Sequence, residues 1–429
     1  MSVLVTGATG FIGRHICACL LGKSYVVTGA ARNVTSLTRR FPGVNCVRVD
    51  MNRMLSPNDW IPLLAGIDAV VNCAGILQSS ATQSAEAIHA AAPKALFDAC
   101  TALGIRSVIQ ISAVSADSEA GTEYARTKKA ADDYLRSLAL DWVVLRPSLV
   151  YAQGSYGGTS AVRGFAGLPF VIPLVGDGSQ RFQPIYADDL AETVVRCLSD
   201  PALARQTLDP VGPETLSLRQ IIERTRGWLD LPAARPVRLP LSLVRLAARV
   251  GDLVGSGPLR TTALVQLEYG NVSDAVAFER AIGFRPRTMT AAFQAAPSHV
   301  QDRWHARLYF LRPILTGTLS LLWLGSGIAG LFNPPESGEA IIARLGVPAP
   351  LIPTVEYGLC VLDIALGVAV AFAQSWRVLG SLQFAVVVIY TIGLTWLMPS
   401  LWIDGYGPLL KNVPILAAIA VWTALQDDR

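Results

Sequence analysis

Two patterns of hydrophobic and polar positions divide the chain near residue 312. Before that point, short apolar runs alternate with longer amphipathic stretches, which is typical of parallel strands connected by helices. The first run, Val3 to Val5, opens the chain, and later runs predict strands over residues 24–28, 46–50, 69–72, 107–112 and 142–145. The alternation predicts an α/β domain over residues 1–300, built on a doubly wound parallel sheet, with the segments of a small substrate domain within about 151–300.

After residue 312 the polar positions become rare. Apolar segments cover residues 308–332, 351–373, 378–398 and 409–425, each of roughly 17 to 25 residues, the length of a membrane-crossing helix. Aromatic residues lie at their ends, as in the belts of membrane proteins: Tyr309, Trp376, Trp396, Trp402 and Trp422. The pattern predicts a four-helix transmembrane bundle over residues 301–429. The alternative is a buried helical core in a large soluble protein, but four such runs in succession favour the membrane.

The charge is distributed unevenly between these two parts. Only four of the 36 Lys and Arg residues lie beyond residue 312, against seven of the 32 Asp and Glu residues, so the first part carries 32 basic and 25 acidic side chains. A modestly basic domain suits an anionic lipid surface and a phosphate-rich cofactor. Nucleic acid is not expected as a partner, because no basic run is interleaved with aromatic residues.

A second feature of the charge pattern concerns sidedness. Arg303, Arg307 and Arg312 precede the first apolar segment, together with His305. Cytoplasmic loops are rich in Lys and Arg, and no signal peptide precedes the first strand, so we expect the N-terminal domain on the cytoplasmic side of a multi-pass protein of a bacterial inner membrane. The seven cysteines fall mostly in apolar contexts and indicate reduced core residues, and their spacing predicts no metal site.

A glycine-rich turn directly follows the first strand. The segment 6–13 reads TGATGFIG, with glycines at positions 7, 10 and 13. The helix that follows directs its free N–H groups and positive dipole end toward the turn, where a pyrophosphate fits. This arrangement predicts a dinucleotide site in a Rossmann domain. The residues expected to bind the cofactor in this turn are Gly7, Thr9, Gly10, Phe11, Ile12 and Gly13.

The second strand is followed by an arginine where many such sites have an acid. Arg32 stands at the position from which an Asp or Glu would hold a ribose 2′-hydroxyl. Because an arginine pairs with a 2′-phosphate, the sequence favours NADP(H), with NAD(H) as the other cofactor that such a domain binds, and with Arg14 or Arg39 as helpers. The alternative is that Arg32 is a solvated loop residue.

Candidate acid–base chemistry lies on a later helix. Tyr124 and Lys128 are four residues apart and share one helix face, so we expect the ammonium to lie near the phenol and to favour its ionised form. Such a tyrosine can exchange a proton with a carbonyl or an alcohol, and the lysine can bind the nicotinamide ribose. The alternative is a solvated pair on the helix surface.

These motifs, in this order, resemble those of the extended or atypical short-chain dehydrogenase/reductases. The resemblance rests on the glycine turn, an N-x-A-G turn at residues 72–75, the Tyr124 to Lys128 motif, and LRPSLVY at 145–151. It implies that Asp50 contacts the adenine and that Pro147 and Ser148 lie on the nicotinamide side. The resemblance also implies that the turn after the fourth strand contributes Asn72, Ala74 and Gly75 to the cofactor site.

Within that family, the sequence is most similar to the branch that contains the dehydrogenase-like accessory subunit of respiratory complex I. The last 120 or so residues resemble DoxX-like four-helix membrane domains, notably in the segment YGPLLKNVP at 406–414. The resemblance implies nucleotide binding and, through the complex I branch, a partner in a membrane complex.

Two positions depart from the family pattern. The catalytic Ser or Thr is expected at the end of the fifth strand, where the chain reads ISAVS at 111–115, so that the aligned position is Ala113 or Val114 and Ser112 or Ser115 is the candidate substitute. His89 replaces an asparagine that many relatives have, and we interpret it as a core residue rather than a catalyst.

An amphipathic helix is predicted over residues 239–255. Leu243, Leu246, Ala247, Val250 and Leu253 form its apolar side, and Arg245, Arg249 and Asp252 lie on the other. Two interpretations remain open: the helix lies on the membrane, or it caps the substrate domain.

The sequence as a whole predicts a membrane-anchored, NADP(H)-dependent oxidoreductase with a lipophilic carbonyl, alcohol or quinone-like substrate. Tyr124 is the expected acid–base and Lys128 its partner, with Ser112 or Ser115 as the polarising donor. A non-catalytic NADPH-binding module of a membrane complex is one alternative, and a sugar-nucleotide epimerase or dehydratase is another. In the second apolar segment, we expect Asp363 to be protonated or hydrogen-bonded to neighbouring helices, for example to Thr391 or Thr395.

Overall fold

The protein is described here by a computed structural model of all 429 residues except 81, 118, 120, 255–259, 333–335, 373–376, 406 and 427–429, and except the side chains of 250, 253, 254 and 336–338. The chain forms two compact units, Met1–Ala306 and Arg307–Arg429. Several residues of the sequence analysis lie outside the described set: Trp376, Tyr406, Asp427, Asp428 and Arg429, and the side chains of Val250, Leu253 and Glu336.

Seven parallel strands form the central sheet of the first unit, in the order β11-β6-β5-β4-β1-β2-β3. Three small two-stranded sheets pair β10 with β7, β12 with β9, and β13 with β8. The strands are β1 (Ser2–Thr6), β2 (Val26–Ala31), β3 (Asn45–Arg48), β4 (Ala69–Asn72), β5 (Ser107–Ile111), β6 (Asp141–Leu145), β7 (Val150–Tyr151), β8 (Val171–Val175), β9 (Arg181–Phe182), β10 (Ile185–Tyr186), β11 (Gln206–Leu208), β12 (Leu216–Ser217) and β13 (Arg235–Leu239).

The predicted doubly wound parallel sheet is confirmed, with small differences in the bounds of several strands. The second strand begins at Val26 rather than at residue 24, because Ser24 adopts a left-handed conformation with φ of 64° at the end of the preceding turn. The edge strand β11 lies outside the predicted set. The order reverses between β1 and β4, and in such sheets a ligand binds at the carboxyl ends of the strands beside this point.

Helices cover both faces of the sheet and form the substrate-side part. They are α1 (Phe11–Gly22), α2 (Val34–Arg40), α3 (Pro57–Trp60), α4 (Ala92–Leu103), α5 (Glu123–Ser137), α6 (Gly158–Gly167), α7 (Ala187–Ser199), α8 (Leu218–Trp228), α9 (Leu241–Val254), α10 (Thr261–Tyr269), α11 (Ala275–Ile282), α12 (Met289–Ala295) and α13 (Val300–Leu308), the last of which crosses the boundary between the units. A π-helical turn, Ala87–Ala91, directly precedes α4.

Each face of the sheet has its own apolar core. On one face, Ile16 and Leu20 of α1 pack with Leu190 and Val194 of α7 against the strands. On the other, Leu96 and Phe97 of α4 and Leu135 of α5 are fully buried. Burial of this apolar surface holds the strand ends, and therefore the loops that follow them, in fixed positions.

The second unit is helical: α14 (Leu311–Phe332), α15 (Glu336–Arg344), α16 (Ile352–Phe372), α17 (Arg377–Leu397) and α18 (Asn412–Ala424). Among the described residues, three helices are long and apolar enough to cross a membrane: Leu311–Phe332, Ala349–Phe372, which includes the short turn before α16, and Arg377–Leu397. The predicted fourth span is shorter than expected. A turn at Gly407, with φ of 49°, delays the start of α18 to Asn412, so that α18 has 13 residues where a span needs about 20.

Small residues allow α14 and α16 to pack closely. A Cβ atom on Gly327 would lie 2.7 Å from the Ile364 side chain, and one on Gly367 would lie 2.6 Å from the Leu324 side chain. Close backbone approach of this kind is typical of helices in membranes. Side chains from α14, α16, α17 and α18 share one buried cluster, so α18 completes a four-helix bundle despite its length.

Asp363 is buried on the inner face of α16, and its partners differ from the predicted ones. The Ser326 hydroxyl of α14 donates to Oδ2 at 2.9 Å, and the Tyr390 hydroxyl of α17 donates to Oδ1 at 3.5 Å. The predicted hydrogen bonding to neighbouring helices is confirmed, but the partners are not Thr391 or Thr395, because each of these donates to a carbonyl oxygen of its own helix. Asp363 therefore links three helices of the bundle.

We predict that Asp363→Leu destabilises the bundle more than Asp363→Asn, by about 1–2 kcal/mol, because asparagine keeps an oxygen that accepts from Ser326 and Tyr390. Thermal unfolding of the full chain in detergent measures the difference. Leu362→Asn, on the neighbouring and more exposed face of α16, controls for the general effect of an amide in this helix. Equal stability of Asp363→Leu and wild type would show that these hydrogen bonds contribute nothing.

Candidate functional site

The glycine turn closely contacts the loop after β4. Gly7 has φ of 65°, and a Cβ atom there would lie 3.0 Å from the backbone of Ala74. A Cβ atom on Gly13 would run into the carbonyl oxygen of Gly7. Larger residues at these two positions would therefore push the turn away from β4 or α1 away from the turn.

The start of α1 fits the pyrophosphate of a dinucleotide. Gly10 is the N-cap, and a glycine has no side-chain oxygen to accept from the first-turn N–H groups. Those donors and the helix dipole face the space in front of the turn. Thr9 and Ile12 are partly buried, and the Phe11 ring stacks on the Tyr156 ring with centroids 6.5 Å apart. The predicted turn residues thus form a cradle whose donors suit a diphosphate.

A chain of hydrogen bonds joins the carboxyl ends of β1, β4 and β5. The Thr6 hydroxyl donates to Asn72 Oδ1 at 2.5 Å, and Asn72 Nδ2 donates to Gln110 Oε1 at 2.7 Å. Asn72 is almost completely buried, so its side chain acts inside the sheet rather than toward a ligand. Ala74 and Gly75, which follow it, lie against Gly7 and Lys128 respectively.

Arg32 and Asp50 lie at the ends of neighbouring strands, β2 and β3. Arg32 is exposed, with its guanidinium within hydrogen-bond distance of the Gln83 side-chain amide. Asp50 is partly exposed and accepts from the backbone N–H of Asn52 at 3.1 Å. Arg40 joins the cluster of arginines predicted around this site. Burial lowers the pKa of Arg14, and the nearby positive charge of Arg40 lowers it further.

Tyr124 and Lys128 lie on the inner face of α5. Lys128 is 4% exposed, and its ammonium donates to the Ile111 carbonyl at 2.8 Å and to the Ala74 carbonyl at 3.5 Å. The expected lowering of the tyrosine pKa is not found. Burial, with a further contribution from the Asp132 carboxylate, raises the pKa of Tyr124 to about 12. The phenol therefore keeps its proton at neutral pH.

The two candidate serines are both buried, but Ser112 has a different partner from the one expected. Its hydroxyl lies 2.5 Å from Asp132 Oδ2, to which it donates, one turn of α5 beyond Lys128. Burial raises the pKa of Asp132 to about 6 against the opposing effect of that hydrogen bond. Ser112 is thus held by α5 through Asp132. Ser115 lies in the turn after β5, where its carbonyl accepts from the Asp117 N–H at 2.8 Å.

The Ser148 hydroxyl is also used within the protein. It donates to the Asn271 carbonyl at 2.8 Å and accepts from the Gln183 N–H at 3.3 Å. The carbonyl of Pro147 accepts from the Val114 N–H at 3.2 Å. These two residues hold the segment after β6 beside the turn that follows β5, which places the segment at the same edge of the sheet as Lys128.

His89 is a neutral core residue that contacts the site. Its Nε2 accepts from the Ile76 N–H at 3.0 Å, so Nδ1 carries the proton and donates to the Thr127 hydroxyl at 3.0 Å. Burial, reinforced by the charge of Lys128, lowers the pKa of His89 to about 2. Its ring meets the Tyr124 ring edge to face, with centroids 5.4 Å apart. The interpretation of His89 as a core residue agrees with these contacts, and His89 also orients Tyr124.

The sequence analysis missed Asp132, a buried residue that continues the row of Tyr124 and Lys128 along one face of α5. The four-residue spacing from Lys128 was the available signal, since residues at i and i+4 share a helix face. It also missed a narrow cavity on the substrate side, near Tyr151. The cavity is lined mainly by apolar and aromatic residues, including Met289, Trp228 and Phe293, and within the described part of the chain the Tyr151 hydroxyl has no hydrogen-bond partner.

Two known families match separate parts of the chain. Residues 3–208 match the NAD dependent epimerase/dehydratase family, and residues 320–420 match the DoxX-like family. The N-terminal domain is therefore epimerase-like and similar to short-chain dehydrogenase/reductases, and the C-terminal region is DoxX-like.

Curated relatives are distant. A ceramide reductase from Caulobacter vibrioides is 25% identical over 248 residues, which cover 56% of this chain and 73% of the relative. The mitochondrial NADH dehydrogenase (ubiquinone) 1 alpha subcomplex subunit 9 of Arabidopsis thaliana is 24% identical over 300 residues, which cover 66% of this chain and 72% of that protein. The predicted similarity to the complex I branch is confirmed.

Among solved structures, a UDP-glucuronic acid 4-epimerase from Bacillus cereus, in complex with UDP-glucuronic acid and NAD, aligns with a TM-score of 0.54. It is 21% identical and covers 72% of this chain and 100% of its own. At this level of identity the likeness shows the fold alone.

We predict that His89 makes the stability of the nucleotide-binding domain fall with decreasing pH. Its pKa is near 2 in the folded state, against an ordinary value of 6.5, so unfolding binds a proton at any pH between these values. The free energy of unfolding should fall by up to about 1.4 kcal/mol per pH unit below pH 6.5. Unfolding midpoints of the full chain in detergent, measured across this range, test the slope.

His89→Gln should flatten that slope, because glutamine does not titrate. His299→Gln, at an exposed position, is the matched control and should leave the slope unchanged. The same slope in His89→Gln and wild type would contradict the assignment.

Proposed function

Because this chain joins an epimerase- and short-chain-dehydrogenase-like domain to a DoxX-like membrane domain, we propose that it is a membrane-anchored, NADP(H)-dependent oxidoreductase. Its proposed substrate is a lipophilic carbonyl or alcohol, or a quinone-like molecule. The observation that carries the proposal is the placement of Tyr124 and Lys128 on the inner face of α5, with Lys128 hydrogen-bonded to the ends of β4 and β5 beside the glycine cradle.

The nicotinamide cofactor supplies or accepts a hydride when it is bound. The role of Tyr124 is to hold and transfer the matching proton at its phenol oxygen. A phenol with a pKa of about 12 is protonated at neutral pH, which suits donation to a carbonyl oxygen during reduction. Lys128, fixed by two carbonyl oxygens, places a positive charge and one spare N–H donor at the sheet edge. Ser115 is the better candidate for a polarising hydroxyl, since Ser112 donates to Asp132.

Two observations support a lipophilic substrate. Among its described residues, the C-terminal unit contains three helices of membrane-crossing length, so the protein is attached to a bilayer. A relative is named a ceramide reductase, and ceramide is a membrane lipid. We accordingly favour a lipid ketone or alcohol over a quinone, and we place the N-terminal domain in the cytoplasm, on the side of the basic residues that precede α14.

The main alternative is a module that binds NADPH permanently and supports a membrane complex. The hydrogen bond of Ser112 to Asp132 favours it, because it removes from the site one hydroxyl that could polarise a substrate. The complex I subunit of Arabidopsis is the relative that fits this alternative. A sugar-nucleotide epimerase or dehydratase is the third candidate. The match of residues 3–208 to the NAD dependent epimerase/dehydratase family supports this candidate, whereas the membrane helices argue for a different substrate.

The cofactor preference can be tested at Arg32. If Arg32 binds a 2′-phosphate, Arg32→Ala should weaken NADPH binding by about 10- to 100-fold, since one charge-assisted hydrogen bond contributes about 1.5–3 kcal/mol. NADH binding should change little. Titration of both nucleotides into the full chain measures this, with Arg280→Ala, at an exposed position of α11, as the control. An equal loss for both nucleotides would contradict a phosphate-reading role.

Catalysis can be distinguished from scaffolding at Tyr124. Tyr124→Phe should reduce NADPH oxidation with lipid ketones or quinones by about 100-fold or more while nucleotide affinity is retained, because only the transferable proton is lost. Tyr134→Phe is the matched control: Tyr134 lies on the same helix, and its hydroxyl donates to Asp98. Unchanged cellular function in Tyr124→Phe, together with loss of function in Gly10→Val, would favour the structural module.

A further inference from the structure

Helix α9 is attached to the substrate-side part by one face only. Val244 and Ala248, four residues apart, are 6% and 1% exposed and pack in a small apolar cluster with Val175 of β8 and Leu264 of α10. This face fixes the orientation of the helix, and therefore determines which side chains point away from the domain.

A second apolar face of α9 points outward. Leu243 is 59% exposed and Leu246 is 58% exposed, and Ala247 is exposed beside them. These residues, which we call the outer stripe, are spaced i, i+3 and i+4 and so lie together on the helix surface. A group of large, exposed apolar side chains indicates a surface that binds a membrane, another protein or an apolar ligand.

Arginine side chains border the outer stripe. Arg245 and Arg249 lie on the next face of α9, and both are exposed. Arg245 pairs with Glu268 of α10 at 3.3 Å, an exposed ion pair that screening by solvent makes weak. Arg238, at the end of β13 just before the helix, is also exposed. Basic residues beside an apolar stripe are the composition of helices that lie in the headgroup layer of an anionic membrane.

We propose that the outer stripe of α9 inserts into the surface of an anionic bilayer, with Arg245 and Arg249 on lipid phosphate groups. The occupant is a bilayer rather than a protein groove because the same chain carries membrane-crossing helices from Leu311 onward. The tether holds the domain at a high effective concentration beside the membrane, so two leucines and a few arginines suffice where an untethered helix would need more.

The contacts of α9 and α10 connect this surface to the site. Asp252 near the end of α9 accepts from the Gln78 side chain at 3.1 Å, and Gln78 lies in the loop that follows β4. Gln266 of α10 donates to the hydroxyl of Thr122, the N-cap of α5, at 2.8 Å. These contacts join α9 and α10 to the loop after β4 and to the end of α5 that carries Tyr124. The proposal goes beyond the proposed function and does not depend on turnover.

The test uses the full chain in nanodiscs. Co-sedimentation with vesicles would not distinguish the variants, because the membrane helices anchor every variant in the bilayer. A genetically encoded fluorescent residue replaces Leu246 or, as the matched control, Val276, an apolar residue of α11 that is 63% exposed. The discs contain phosphatidylcholine with a quarter of phosphatidylglycerol, with or without a nitroxide lipid labelled near the headgroup. We expect quenching by the nitroxide lipid to be at least about twofold stronger at 246 than at 276.

Charge reversal tests the arginines in the same discs. Arg245→Glu with Arg249→Glu should remove at least about half of the lipid quenching at 246, whereas Arg280→Glu with Arg285→Glu, in and just after α11, should not. Equal quenching at 246 and 276 overturns the proposal, as does unchanged quenching at 246 after the first reversal. Aqueous iodide serves as a second, water-soluble quencher. If neither the nitroxide lipid nor iodide quenches the fluorophore at 246, the proposal is also overturned, because a protein surface, from this chain or from a second copy, would then cover the stripe.

Discussion

The close approach of the glycine turn to the end of β4 is the constraint on which the nucleotide-binding domain depends. Gly7 and Ala74 meet backbone to backbone, and the hydrogen bonds from Thr6 through Asn72 to Gln110 hold three strand ends in one register. The end of β4 then leads to the carbonyl of Ala74, on which Lys128 is fixed. One backbone contact therefore positions both the diphosphate cradle and the cation of the candidate acid–base pair.

Burial sets the charge state of this site. Lys128 is a buried cation, and its charge, added to desolvation, keeps His89 neutral. Neutral His89 can accept from Ile76 and donate to Thr127, and so supports the Tyr124 ring from one side. Asp132 balances the lysine but also helps to keep the phenol protonated. Asp132 thus acts on both other members of the row: its charge favours the charged form of Lys128 against the effect of burial, and it adds to burial in raising the pKa of Tyr124.

The membrane unit pairs several of its buried polar groups between neighbouring helices. Asp363 receives hydroxyl donors from two neighbouring helices, and the indole of Trp323 donates to Gln383 at 2.9 Å. Glycines bring α14 and α16 close enough for such bonds. In the nucleotide-binding domain, by contrast, α9 leaves apolar side chains outside, which is favourable only if an apolar phase meets them.

The sequence by itself determined the parallel sheet, the glycine cradle, the Tyr124 and Lys128 face and the membrane helices, because each follows from a periodicity or spacing within one segment. Only the tertiary structure decided that Ser112 donates to Asp132, that Ser326 and Tyr390 are the partners of Asp363, and that burial raises the pKa of Tyr124. The hydrogen bonds join residues 20 or more positions apart, and the pKa shift depends on desolvation by packed neighbours. A pattern within one segment of the sequence contains neither kind of information. The same is true of the outer stripe of α9: the sequence predicted an amphipathic helix, but only packing at Val244 and Ala248 decided which face points outward.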